Sequence, residues 1–382
     1  MRMALTIMLF AAALLVFSTN ATAGDAEPCG DVNALLARLE PDVDVGRRIF
    51  ERGYRERAQV ARDVYDALSR LAPNDPVWES VRTDLCEGRL MDVRTALSFA
   101  AKDDHIGEKL FALAGVDYLA REYGSAAGNY IEAVQRKPDD PGFLAALGRM
   151  HYLAGEYAQA APLFARAWRI EEDKNGQTVR AAELAEWVGD AHLALGDASF
   201  AAKVYEEAAV LYAETLGEEA TSVGIALGKQ GTALLEMQRL DQAEETLRQA
   251  LAVLHASHGP DNPLVAETLR SLALAREQRR EYGAAGELYL SALVSASNWY
   301  GIEAPELAPY LFGLGVARFH LGEYETALAA LREARGAAIE LYGPQARDLM
   351  EIGGYIALVE DALARRDREN AAPGQGDAPV SR

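Results

Sequence analysis

GEYAQAAPLFARA, residues 155–167, and GEYETALAALREA, residues 322–334, open on the same Gly-Glu-Tyr turn and close on alanine. Four more stretches share the plan: REYGSAAGNYIEA at 121–133, GDASFAAKVYEEA at 196–208, QRLDQAEETLRQA at 238–250 and REYGAAGELYLSA at 280–292. Their final residues, Ala133, Ala167, Ala208, Ala250, Ala292 and Ala334, are spaced by 34, 41, 42, 42 and 42. Nineteen residues upstream, Ala114, Gly148, Gly189, Gly231, Ala273 and Gly315 repeat those spacings. A third ladder lies in the connectors LGEEATSVG at 216, HGPDNPLVA at 258, YGIEAPELA at 300 and YGPQARDLM at 342, again stepping by 42. Three ladders on one period define a repeat array.

Each unit reads as two helices. Leu311, Leu314, Val316 and Phe319 stripe the first, Gly322 turns the chain, and Tyr324, Leu328 and Leu331 line the second. The Gly or Ala of the first helix and the Ala of the second lack bulk, so the two can cross closely while larger side chains fill the flanks. One unit cannot bury its apolar face alone, so neighbours must stack. Pro162 breaks the pattern; an interior proline costs about 3 kcal/mol, and the expectation is an early-helix position where its missing N–H matters little.

The residues carrying this pattern resemble the tetratricopeptide repeat (TPR). Leu144, Leu147, Gly148, His151, Ala160 and Phe164 fall on the family's W-x₂-L-G-x₂-Y…A-x₃-F pattern, with Leu for Trp and His for Tyr. The 42-residue units with a Gly-Pro-Asp-x-Pro-type connector, as in HGPDNPLVAETLRSLALA, are similar to the kinesin-light-chain subclass. The resemblance implies an all-α TPR solenoid, a right-handed superhelix of about six repeats near 107–140, 141–174, 182–215, 224–257, 266–299 and 308–341, closed by a helix at 349–363. It implies a binding scaffold without indicating the ligand.

The ends fit an exported chain. Arg2 precedes an apolar run at 4–17, and Ala21-Thr22-Ala23 suits signal-peptidase cleavage before Gly24, so residues 1–23 read as a signal peptide and the protein as periplasmic or secreted. No later segment is long and apolar enough for a membrane span. The two cysteines, Cys29 and Cys86, are expected to form a disulfide, the alternative being two free thiols. Residues 24–106 read as a helical cap on the array; its 45–72 helix carries arginines 47, 48, 52, 55, 57, 62 and 70, which make either a docking face or a solvated face laced with ion pairs. Residues 364–382 lose all periodicity and are expected to be disordered.

Charge argues against nucleic acid: 58 acidic against 38 basic residues give a formal net charge of −20, where phosphate binding needs clustered cations. No catalytic motif stands out, and no cofactor or metal is expected. His255 and His258 make an H-x-x-H without a third ligand, GLG at 313–315 is helical, and the carboxylates are dispersed.

In TPR proteins the first helices line a peptide-binding groove. Carried over position by position, this selects Phe111, Tyr118, Arg149, Tyr152, Glu186, Asp190, Lys229, Arg270, Glu277, Phe312 and Phe319. Mixed charge beside aromatic rings suits a protein or peptide ligand. Phe111 and Gly115 stand where chaperone-type repeats clamp a carboxylate, and Lys229, Ser271 and Gly313 replace the kinesin-light-chain asparagines, so neither family's ligand transfers. The leading expectation is a non-catalytic scaffold serving an envelope assembly or export complex. The alternative is a recognition subunit of an exported or polysaccharide-linked enzyme. An end repeat exposing apolar surface would also allow homo-oligomers by stacking on a second copy.

Overall fold

The computed structural model describes residues 35, 38, 39, 52–71, 76–346 and 348–371. Among them every regular element is helical. The expected signal peptide, Cys29 and most of the expected disordered tail lie outside the described residues. The chain divides into two compact units, Met1–Leu147 and Gly148–Arg382, so the division falls inside a helix of the second repeat rather than at the start of the array.

The first unit holds α1 (Arg52–Leu71), α2 (Pro76–Cys86), α3 (Leu90–Ala100), α4 (Glu108–Leu119), α5 (Tyr123–Arg136) and the first half of α6 (Pro141–Leu153). Helix α4 is its centre, packed by α1, α3 and α5. It is buried along its whole length, which is why it shows no amphipathic stripe. Asp104 accepts hydrogen bonds from the amides of Ile106, Gly107 and Leu110, satisfying donors that an α-helix start leaves free. Buried Asp117 accepts from Arg94 at 2.6 Å and Asn129 at 2.9 Å. Two arginines of α1 tie it to α4: part-buried Arg57 donates to the carbonyl of Leu119, and exposed Arg70 pairs with buried Glu108.

The second unit carries the remaining helices in pairs. They are α7 (Tyr157–Asn175), α8 (Val179–Ala194), α9 (Ala198–Leu216), α10 (Thr221–Glu236), α11 (Leu240–His258), α12 (Pro263–Gln278), α13 (Tyr282–Tyr300), α14 (Ala308–His320), α15 (Tyr324–Tyr342) and α16 (Asp348–Ala371). Each helix packs on the next in sequence, and α10, α12, α14 and α16 also touch in series, so first helices share one face. Closing helix α16 reaches Ala371, so residues 364–371 are helical where disorder was expected.

The small-residue ladders have a direct steric cause. A methyl at Gly148, Gly189, Gly231 or Gly315 would stand 2.8, 2.6, 2.5 or 2.7 Å from Phe164, Tyr205, Leu247 or Leu331 of the following helix. Each large side chain is fully buried against the glycine that admits it. The six ladder alanines, Ala133 to Ala334, are each 0% exposed. Pro162 lies at the sixth position of α7, past the free N–H groups of the first turn, and its ring faces solvent. It therefore removes a helix hydrogen bond, and is not the early-helix residue the sequence suggested. The long, packed second helix tolerates the loss.

Candidate functional site: the first-helix face

Three of the expected groove residues converge. Lys229 of α10 reaches back to α8, where its Nζ lies 2.5 Å from Glu186 Oε1 and 2.9 Å from both oxygens of Asp190. The hydroxyl of Tyr205, on α9, donates to Asp190 at 2.7 Å, and Tyr212 donates to Glu186 at 3.1 Å. The ammonium also sits 5.8 Å from the Tyr205 ring centre, within cation–π range. Asp190 is only 7% exposed, so its charge must be compensated, and Lys229 and Tyr205 do this. Burial first, and then the charge of Asp190, pushes the Tyr205 phenol far above its ordinary range. The cluster orders the face; it also commits Lys229, Glu186 and Asp190 to one another.

On the N-terminal side of this cluster, Tyr152 meets Trp187 edge-on at 5.5 Å and Tyr157 at 5.0 Å. Arg149, one turn before Tyr152, is half-buried.

Towards α16 the face turns aromatic and acidic. Glu277, near the end of α12, accepts a hydrogen bond from Tyr289 at 2.7 Å. Arg270 pairs along its own helix with Glu267 at 2.9 Å between Nε and Oε2. Phe312 and Phe319 of α14 stand nearly perpendicular to Tyr355 of α16, at 5.6 and 6.2 Å between ring centres. A methyl at Gly313 would lie 2.2 Å from the Tyr289 ring, so only glycine fits beside Phe312.

Two expected residues do not belong to this face. Phe111 is 3% exposed and stacks on Phe143 at 4.6 Å. Tyr118 is 7% exposed and packs against Tyr123. Both are core of the first unit: Phe111 is enclosed by Phe143 and Tyr130, and α4 is also covered by α1 and α3, helices the repeat pattern does not contain.

Sequence reasoning missed Tyr205, Tyr212, Tyr289, Trp187 and Tyr355. The signal was available: Tyr205 and Tyr289 occupy the second-helix position filled elsewhere by Phe164, Leu247 and Leu331. A hydroxyl there requires a partner on the first helix.

Among the described residues no group of three His, Cys, Asp or Glu side chains is placed to hold a metal ion. His258 instead meets the Thr221 hydroxyl at 2.8 Å, and burial pushes its pKa down. A crevice of about 410 Å³ between α9 and α11, lined by Lys203, Glu206, Arg239 and Glu245 among others, interleaves both signs of charge. Among the described residues no helix is long and apolar enough to cross a membrane.

Stacked helix pairs with small residues at each crossing, presenting one continuous first-helix face, define a helical-repeat scaffold. Family models described as tetratricopeptide repeat match residues 115–175, 180–254 and 222–293. These are tetratricopeptide repeats, the building blocks of scaffolds for protein interaction. A tetratricopeptide repeat protein from Parabacteroides merdae ATCC 43184 superposes with a TM-score of 0.53 at 13% identity, covering 78% of this chain and 99% of its own. The APC/C hetero-tetramer Cut9-Hcn1 gives 0.52 at 13% identity, over 87% of this chain and 51% of that one. BtubC (BKLC) from P. vanneervenii gives 0.48 at 18% identity, over 68% and 94%. The first two establish the shared fold. No curated protein matches the sequence.

Proposed function

We propose that the first-helix face of residues 148–371 receives a protein or peptide segment, that the protein does no chemistry itself, and that it serves an envelope assembly or export complex. One observation carries the binding reading: the face combines an ordered charge cluster at Lys229, Glu186 and Asp190 with half-buried rings at Tyr152, Phe312, Phe319 and Tyr355. Such a surface offers directional polar groups and apolar area to an extended ligand. Export rests on the N-terminal sequence, with its charged start, apolar run and small-residue cleavage site. An oxidised Cys29–Cys86 pair belongs to the same reading.

The test is cross-linked capture from the host's envelope extract, with an Arg149→Ala/Tyr152→Ala variant run beside the natural protein. Both side chains are part-exposed, and since Tyr152 also packs against the core around Phe164 and Trp187, helicity is measured alongside capture. A protein captured by the natural chain and lost with the variant, at unchanged helicity, supports the face as the binding surface. Equal capture by both rejects it. N-terminal sequencing of the protein from the periplasmic fraction should begin at Gly24; an intact Met1 in the cytoplasm would reject export.

A further inference from the structure

The aromatic and acidic end of the first-helix face has its own chemistry. Phe312, Phe319 and Tyr355 are all half-buried, and each phenylalanine ring stands at 73° or 78° to that of Tyr355. Aromatic faces are negative and attract cations. Glu351 lies one turn before Tyr355 on α16, on the same side of the helix, and is exposed. Glu277 faces this group from α12: burial first, and then the charge of Glu351, pushes its carboxyl above the usual range, while the Tyr289 hydroxyl opposes the rise. The same two glutamates act on the Tyr355 phenol, which is pushed up by burial and then by their charges. Arg270, seven residues before Glu277, is engaged by Glu267.

We propose that Phe312, Phe319 and Tyr355 together with Glu277 and Glu351 form a receptor for one cationic side chain, an arginine or lysine of the bound segment. The inference rests on the groove-binding reading and specifies what this end of the groove accepts. Charge complementarity selects the occupant. An acidic segment would meet two carboxylates of its own sign. An apolar one would strip water from both without compensation. A guanidinium or ammonium satisfies the carboxylates and the ring faces together.

The experiment uses the full chain carrying 3-fluorotyrosine, with the Tyr355 fluorine signal assigned by its absence in Tyr355→Phe. N-acetyl-arginine amide, N-acetyl-leucine amide and N-acetyl-glutamate amide are titrated in turn. A saturable shift with the arginine probe is expected in the range of about 1 mM, and none with the other two. Glu277→Gln, which keeps an acceptor for Tyr289, and Glu351→Gln should each weaken binding about two- to fivefold. Tyr355→Trp, assayed by arginine-induced tryptophan fluorescence change, should bind at least as well, while Tyr355→Leu, followed by calorimetry, should lose affinity. Glu333→Gln, on exposed surface of α15, should change nothing. An equal shift with leucine, or undiminished arginine binding in Glu277→Gln/Glu351→Gln, overturns the proposal. So does the absence of any saturable arginine shift. The wider reading is judged separately by Arg149→Ala/Tyr152→Ala capture, so either can fall alone.

Discussion

Hydrogen is the largest side chain that position 231 admits, because a methyl there would meet Leu247 at 2.5 Å. Gly231→Ala should therefore cost about 1–3 kcal/mol through overpacking, read as a lowered urea midpoint at unchanged slope; no loss would mean that Leu247 has a second rotamer to use. The buried phenols respond to pH instead. Tyr205, Tyr289 and Tyr310 are all pushed above the ordinary value of 10.0, mainly by burial. The unfolded chain releases these protons first, so above pH 10 it binds fewer protons than the folded one and stability falls as pH rises. Each phenol adds up to about 1.4 kcal/mol per pH unit to that slope. Tyr205→Phe should flatten the alkaline slope of the urea midpoint while costing about 1–2 kcal/mol at neutral pH, since buried Asp190 loses a donor. A slope unchanged by the substitution would contradict the assignment. The glycine ladder was legible because small residues recur at a fixed period. The partners of Asp190 and Glu277 were not, because a hydroxyl's reach depends on the crossing of two helices and not on spacing along one.

The turn between paired helices requires a left-handed residue. Gly155, Gly196 and Gly322 supply it at φ +78°, +83° and +78°, while Arg121, Gln238 and Arg280 adopt φ 66°, 59° and 62° at the equivalent positions. A side chain in that conformation costs about 1–2 kcal/mol, and a glycine's greater freedom when unfolded returns part of this. Arg280→Gly should thus raise stability by up to about 1 kcal/mol, checked by thermal melting; a decrease would show that the Arg280 side chain has a favourable contact of its own. These three turns explain why helix boundaries were readable even without glycine: the apolar period stops and restarts across them. The end of α16 was less readable. ARRDREN carries no apolar stripe, yet the helix runs on through it, with Arg366 pairing to Glu325 of α15 and Arg365 to Asp361. The misplaced Phe111 has a similar origin. The repeat pattern assigns its register position to an open face, whereas its ring is enclosed by Phe143 of α6 and Tyr130 of α5 in a helix also covered by α1 and α3.

In the second unit each helix pair draws its burial from its neighbours, so stability is spread along the array and the last pair depends on its closing helix. Ile352, Ile356 and Val359 of α16 cover Leu331, Ala327 and Ala338 of α15 and Ala308 of α14. Deleting residues 348–371 should expose that surface and destabilise the end first, with amides of α14 and α15 exchanging with solvent sooner than those of α8 and α9. Uniform loss of protection would instead mean that the second unit folds as one block. The array itself was visible in the sequence from its period, while the division at Leu147 was not, since it depends on which neighbours α4 and α5 find in space. The regularly spaced small-residue crossings at Gly189, Gly231, Ala273 and Gly315 carry one further consequence. Because the crossings in residues 182–341 share one small-against-large plan at a 42-residue step, the segment 224–265 is the natural unit for tandem duplication, with Lys229 of the added copy facing Gly228 and Thr232 where it now meets Glu186 and Asp190. Each added copy would lengthen the first-helix face by one helix width, roughly 8–10 Å. The array is thus a ruler graduated in repeats, and the length of its first-helix face is set by copy number as much as by any single side chain.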